Sequence, residues 1–238
     1  MRVWRSAYGP KKAKRIWEFV LSGVGIIRKN IDYYKISCDY QIQDSLFVAN
    51  NISGFRHIKN EYETRVKLGY PSTLYEAAAI QQIIGSRGYA GAVRYPETFG
   101  INSYLYCQAM RGILKKSGVA IYEQTPADRI EGHTIVTPGG RITAEHIIVC
   151  ADRFIPELGA LKNEIYHVQT FLGITRPLSH RQIEQMFPAG AMMVWDTDLV
   201  YNYFRVTGDR RLLIGGGDLL YTYARDISDN TARFSKRL

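Results

Sequence analysis

Cysteine is scarce in this sequence, and so is every pattern that uses it. Cys38, Cys107 and Cys150 are an odd number at wide spacings, which excludes a disulfide framework and a C-x-x-C metal site. They are expected to be free, mostly buried thiols. His57, His133, His146, His167 and His180 are scattered, with no H-E-x-x-H, so no zinc signature is present. No apolar run approaches the ~18 residues of a membrane-spanning helix. The opening Met-Arg-Val-Trp-Arg-Ser lacks an apolar signal-peptide core behind it, and the expectation is a cytoplasmic protein with no membrane partner. There is no internal repeat and no low-complexity segment. Acidic residues are outnumbered, 22 against 31 basic, for a net charge of +9. The excess is spread out, with clusters at Lys11, Lys12, Lys14, Arg15 and at Arg233, Lys236, Arg237. These read as a solvated face and a basic tail. The 17 tyrosines do not interleave with them, so a nucleic-acid partner is not indicated.

Hydrophobic residues make up 46% of the 238-residue chain, enough for one large domain or two small ones. Ala13, Ile16, Trp17, Val20, Val24, Ile27 and Ile31 recur at helical spacing and predict a helix from about Pro10 to Tyr34. Asp39–Ala49 reads as one or two strands. Ser53 is placed at the start of a helix that stops at Gly69, and Thr73 with Glu76 reads as a capping box before a helix over 74–84. Residues 85–100 read as a glycine-punctuated loop with a short strand. Asn102 or Ser103 caps a helix over 104–117, closed by Gly118. Val119–Glu123 reads as a strand, 134–144 as a hairpin and Ile147–Cys150 as a strand covered on both faces. From Ile165 the pattern is antiparallel: strands at 166–175, 192–195, 200–206 and 212–214, with a helix boxed by Ser179 and Gln182.

The most informative stretch is 201–217, YNYFRVTGDRRLLIGGG. Tyr201, Tyr203 and Arg205 alternate with Asn202, Phe204 and Val206, placing two phenols and a guanidinium on one face of a strand. A turn at Gly208-Asp209 leads back to Gly215, Gly216 and Gly217, where the bare backbone admits a close neighbour. This hairpin suits a flat anionic cofactor or a small charged substrate.

That segment, together with Ile36–Tyr40, Gly118–Ala127 and Thr137–Ala151, resembles the FAD-dependent amine and amino-acid oxidoreductases of the D-amino-acid-oxidase-like (DAO) family, most closely the gamma-glutamylputrescine oxidase type. The 201–217 motif is the most specific of these. The resemblance implies an α/β fold of mixed α+β character. It would have a partial FAD/NAD(P)-binding Rossmann-like domain over 1–35 and 86–160 with a helical insertion. A mixed, mainly antiparallel substrate-type sheet would occupy 36–85 and 161–238. It implies hydride transfer from an amine-bearing carbon of an amine or amino acid to FAD. Tyr201, Tyr203 and Arg205 would bind substrate. Thr125, Pro126, Ala127, Cys150, Ala151, Asp152, Gly215, Gly216 and Gly217 would lie along the cofactor, and no metal is implied. The family's G-x-G-x-x-G is absent, so the sequence resembles the middle of a longer protein. An N-terminal FAD-binding segment would then be a partner, and a non-catalytic remnant is the alternative. A basic nucleic-acid-binding module is a weaker alternative that rests on net charge.

Overall fold

The computed structural model describes residues 2–96, 98–165, 170–198 and 200–217. His167, the start of the strand expected over 166–175, and the Arg233, Lys236, Arg237 cluster lie outside these residues.

In chain order the elements are α1 (Arg2–Tyr34), β1 (Gln41–Ile42), β2 (Ser45–Ala49), α2 (Ile52–Lys67), β3 (Thr73–Glu76) and α3 (Ala77–Ile83). Then come β4 (Gly91–Tyr95), β5 (Phe99–Gly100), α4 (Ser103–Lys116), β6 (Arg129–Glu131), β7 (Thr134–Thr137) and β8 (Gly140–Thr143). A 3-10 segment (Asp152–Leu158) precedes β9 (Thr170–Ile174), α5 (His180–Met186), β10 (Met193–Asp196), β11 (Tyr203–Val206) and β12 (Leu212–Gly217). α1 is two helices merged at Gly9, whose φ/ψ of 76/165 is not helical. The long piece therefore starts at Pro10, whose fixed φ suits a first turn.

The chain divides into two units. The first, Met1–Gly112 with Phe171–Gly217, is built on a seven-stranded sheet of order β3-β4-β2-β10-β11-β12-β9. The pairs β3–β4, β4–β2, β10–β11 and β11–β12 are antiparallel, and β2 and β10 run parallel. Alternation along the strands separates two faces. Leu46, Val48, Ala92, Val194 and Val206 pack against Ile80 and Ile84 of the α3 segment and Phe187 after α5. Ala49, Val93 and Tyr95 on the opposite face pack against Ile58 of α2. α5 starts with the expected capping box: Ser179 accepts from the backbone N–H of Gln182, whose side chain accepts from the Ser179 N–H.

The second unit, among the described residues Ile113–Thr170, holds an antiparallel three-stranded sheet, β6-β7-β8. The hairpin read from the sequence is β7 and β8, and β6 adds a third strand. Glu131 accepts from Arg129 and Arg141 at 2.6 Å each, which ties β6 to β8 across β7.

Several local expectations are corrected. α2 is capped by Asn51, not Ser53; its Oδ1 accepts from the Gly54 N–H at 2.8 Å. Thr73–Glu76 is no capping box, because pairing with Gly91–Arg94 draws it into strand β3. The short strand expected within 85–100 is β4, a buried strand between β2 and β3. Val119–Glu123 and Ile147–Cys150 form no strand. Without a hydrogen-bonded neighbour among the described residues, the second run leaves Ile148 87% exposed. Cys38 alone of the three thiols is buried; Cys107 and Cys150 are exposed.

Candidate functional site

Register brings the candidate residues together in the first unit. Leu74, Val93, Phe47, Trp195, Tyr203 and Gly215 are successive partners across six strands, one row on one face of the sheet. Phe47 and Trp195 stack at 5.3 Å between ring centroids, and Tyr95 stacks on Trp195 at 5.9 Å. α2 covers the β4 and β2 end of this face. Beyond it opens a cleft of about 540 Å3, lined by Phe47, His57, Trp195, Tyr201, Tyr203, Arg205 and Leu213 among others.

The row ends on glycine, which explains the pose of Tyr203. A Cβ on Gly215 would come 2.5 Å from the Tyr203 hydroxyl and closer still to the Tyr203 Cζ. The phenol therefore lies on the bare Cα of its cross-strand partner. Tyr201, just before β11, is 51% exposed and its ring centroid is 5.7 Å from that of Tyr203.

Arg205 follows two residues after Tyr203 and so shares its face. Its Nη2 donates to the Ile101 carbonyl at 3.0 Å. Nη1 lies 2.8 Å from where a Cβ on Gly100 would stand. Burial disfavours the charged guanidinium and pulls its pKa down, with Asp39 acting in the opposite sense. Among the described residues no carboxylate forms an ion pair with it within 4.0 Å. A half-buried cation with spare donors at an aromatic cleft is a receptor for a carboxylate, which can take two parallel N–H···O bonds.

Asp196, at the end of β10, ties Asp198 and Asn202 to the strand. This buried carboxylate accepts from the backbone N–H groups of Asp198 and Asn202 and from the Asn202 side chain, at 3.0–3.1 Å. Its acceptors are occupied, so Asp196 shapes the rim. Asp198 is exposed on the same cleft.

The structure thus gathers Tyr201, Tyr203 and Arg205 on one cleft and seats Gly215 beneath Tyr203. Gly216 is buried and Gly217 ends β12. The remaining cofactor candidates lie in the second unit. Thr125, Pro126 and Ala127 are in an exposed loop, where the Thr125 hydroxyl donates to the Glu123 carbonyl at 3.0 Å. Cys150 is exposed, Ala151 is half-buried, and Asp152 starts the 3-10 segment at φ 48. Sequence reasoning missed Phe47, His57 and Trp195. The alternation Met193, Trp195 against Val194 was a usable signal, but the joining of Phe47 and His57 to it depends on the parallel β2–β10 pairing. Among the described residues no group of three or more His, Cys, Asp or Glu could hold a metal, and no helix is long and apolar enough to cross a membrane.

Comparison with known proteins bears on the family and the fold. Residues 1–237 match the family model described as DAO, FAD dependent oxidoreductase. The gamma-glutamylputrescine oxidoreductase of Escherichia coli is 28% identical over 236 residues, 95% of this chain and 54% of that protein. A probable oxidoreductase OrdL of Haemophilus influenzae is 27% identical over 217 residues, 87% of this chain and 50% of that protein. The chain thus spans about half the length of these curated relatives. In fold it is similar to the crystal structure of L-proline dehydrogenase from P. horikoshii, with TM-score 0.68, 17% identity, and coverage of 90% of this chain and 59% of that one.

Proposed function

The chain belongs to the DAO family of FAD-dependent oxidoreductases, and from that premise we propose that it supplies the substrate-binding sheet for oxidation of a C–N bond in an amine or amino acid. The observation that carries this reading is Arg205: a desolvated guanidinium without an ion-pair partner among the described residues, on a cleft walled by Trp195, Tyr201 and Tyr203. Arg205 takes the substrate carboxylate, and the aromatic row flanks the carbon chain. The Tyr201 and Tyr203 hydroxyls offer hydrogen bonds to a polar group. A relative carrying the name gamma-glutamylputrescine oxidoreductase supports an amine as the substrate class.

FAD is the cofactor of the family and, when bound, accepts the hydride. The residues described do not build its phosphate cradle. That cradle needs glycines at a strand-to-helix turn, with the pyrophosphate on the helix N-terminus. Here Gly23 and Gly25 lie inside α1 and the sequence has no G-x-G-x-x-G. The bare face of Gly215 is taken by Tyr203. Asp152 adds a carboxylate that would repel a pyrophosphate beside it. Contact of Thr125–Ala127 and Cys150–Asp152 with adenosine and pyrophosphate is therefore a proposal that rests on the resemblance. The corresponding second reading is a chain that keeps the fold without holding FAD alone. Thermal denaturation with and without excess FAD separates the two, because a ligand that prefers the native state must stabilise it.

The substrate reading is tested with benzoate, a carboxylate on a flat ring, titrated against the fluorescence of Trp195, with Trp195→Phe identifying the signal. Charge-assisted hydrogen bonds contribute about 1.5–3 kcal/mol, so Arg205→Met is expected to weaken benzoate by roughly 10- to 150-fold while sparing neutral benzyl alcohol. Equal benzoate affinity in wild type and Arg205→Met would refute the clamp.

A further inference from the structure

Arg205 borders two clefts. Besides the aromatic one, it lines a second, of about 510 Å3, with Asp39, Asn102, Thr207 and Gly208. Three chain segments that are distant in sequence, around Asp39, Gly100 and Arg205, meet here, and two glycines, Gly100 and Gly208, stand at the close approaches. Nη1 passes over Gly100, which is buried, and the Gln43 Oε1 lies 3.4 Å from the same Cβ position. That Oε1 is itself buried without a hydrogen-bond partner, while the Gln43 Nε2 donates to the Val206 carbonyl at 2.9 Å. On the far side, the Asp39 Cβ and Cγ lie 2.7 and 3.3 Å from where a Cβ on Gly208 would be. Asp39 has φ 52, accepts from the Asn102 side chain at 3.4 Å, and follows Cys38, whose carbonyl accepts from the Asn102 N–H at 2.8 Å.

We infer that Gly100 is a positioning residue for Arg205, and that Asp39 is a standing counter-charge that sets how strongly the guanidinium attracts a carboxylate. The inference rests on the reading of Arg205 as the substrate clamp. A Cβ at position 100 crowds Nη1, so the guanidinium has to shift from the pose in which Nη2 reaches the Ile101 carbonyl. Asp39 acts across space: it forms no ion pair with Arg205 within 4.0 Å. No carboxylate among the described residues therefore occupies the guanidinium, whose Nη2 gives one N–H to the Ile101 carbonyl and keeps its other for a ligand, while the field of Asp39 opposes an incoming anion. The two residues thus have opposite effects on one affinity, which a general loss of structure would not produce.

The experiment uses the whole chain and two variants, Gly100→Ala and Asp39→Asn. Gly100 does not have a positive φ, so alanine suits its backbone, and asparagine tolerates φ > 0 as aspartate does. Benzoate binding is expected to weaken about fivefold or more in Gly100→Ala, with benzyl alcohol unchanged. In Asp39→Asn benzoate is expected to tighten by about two- to fivefold, and the gain should shrink as salt is raised. Without any ligand, 15N NMR reads the seat directly. The Arg205 side-chain N–H signal, identified by its loss in Arg205→Lys, should be resolved and slowly exchanging in the wild type. It should merge with the exposed arginines in Gly100→Ala and persist in Asp39→Asn. Unchanged benzoate affinity and an unchanged signal in Gly100→Ala overturn the positioning role. Weaker benzoate binding in Asp39→Asn overturns the counter-charge. Failure of Arg205→Met to lose benzoate counts against the clamp alone, since the NMR signal still reports whether the seat exists.

Discussion

Replacing Gly215 by alanine puts a methyl group under the Tyr203 ring. The new Cβ would stand 2.5 Å from the phenol oxygen and nearer to the ring, where ordinary contact needs 3.4–4 Å. The ring must therefore move by about 1 Å or more, and it can move only outward into the cleft, since Trp195 is its neighbour on β10. Overpacking of this kind costs about 1–3 kcal/mol. Gly215 does not have a positive φ. In a chain without the ring, alanine there should instead help by about 0.4–1 kcal/mol, because it restricts the unfolded chain. The prediction is a change of sign: Gly215→Ala destabilises the wild type by about 2 kcal/mol and is neutral or stabilising in a Tyr203→Ala background. Urea denaturation of the four proteins, followed by circular dichroism, measures it. An equal cost in both backgrounds would show that the glycine serves something other than Tyr203.

Gly91→Ala meets the Phe55 ring, whose Cζ is 2.9 Å from the new Cβ with two ring carbons closer; a loss of about 1–3 kcal/mol is expected by urea denaturation, and Phe55→Ala should remove the clash. In the second unit, Arg129 and Arg141 hold the exposed Glu131 carboxyl below its ordinary value of 4.5. A depressed carboxylate stabilises the fold above its unfolded pKa and loses that contribution as pH falls through the folded one. The Glu131 titration midpoint, read by carbon-detected NMR, should therefore lie below that of a free glutamate and rise toward it in Arg141→Gln.

What the sequence disclosed was local. The 201–217 hairpin shows itself by strict alternation and a turn, and α5 by a box whose two members sit three residues apart. Both patterns need no distant partner. The sequence marks a short strand within 85–100 but under-reads it, because Gly91-Ala-Val-Arg-Tyr has glycine beside it and no clean alternation; pairing with β2 and β3 on both sides gives β4 its extent. Ile147–Cys150 errs in the other direction, since an apolar run becomes a strand only where a neighbour binds its edges. Within the candidate site, Tyr201, Tyr203 and Arg205 stand out in the sequence because they alternate within five residues, although only Tyr203 and Arg205 lie on β11. Phe47 and His57 come from more than a hundred residues away, and nothing in their own surroundings marks them. The seat of Arg205 depends on Gly100 and Asp39, and a glycine that clears room for a remote side chain has no local signature.

The parallel pairing of Ser45–Val48 with Met193–Asp196 has a consequence for biosynthesis. β2 receives β4 soon after both leave the ribosome, but its other edge waits for β10, about a hundred residues later. At roughly 5–20 residues per second that interval lasts ~5–20 s. Throughout it the nascent sheet offers the open edge of β2 to any passing polypeptide, so translation speed between codons 95 and 193 sets how long that edge stays exposed.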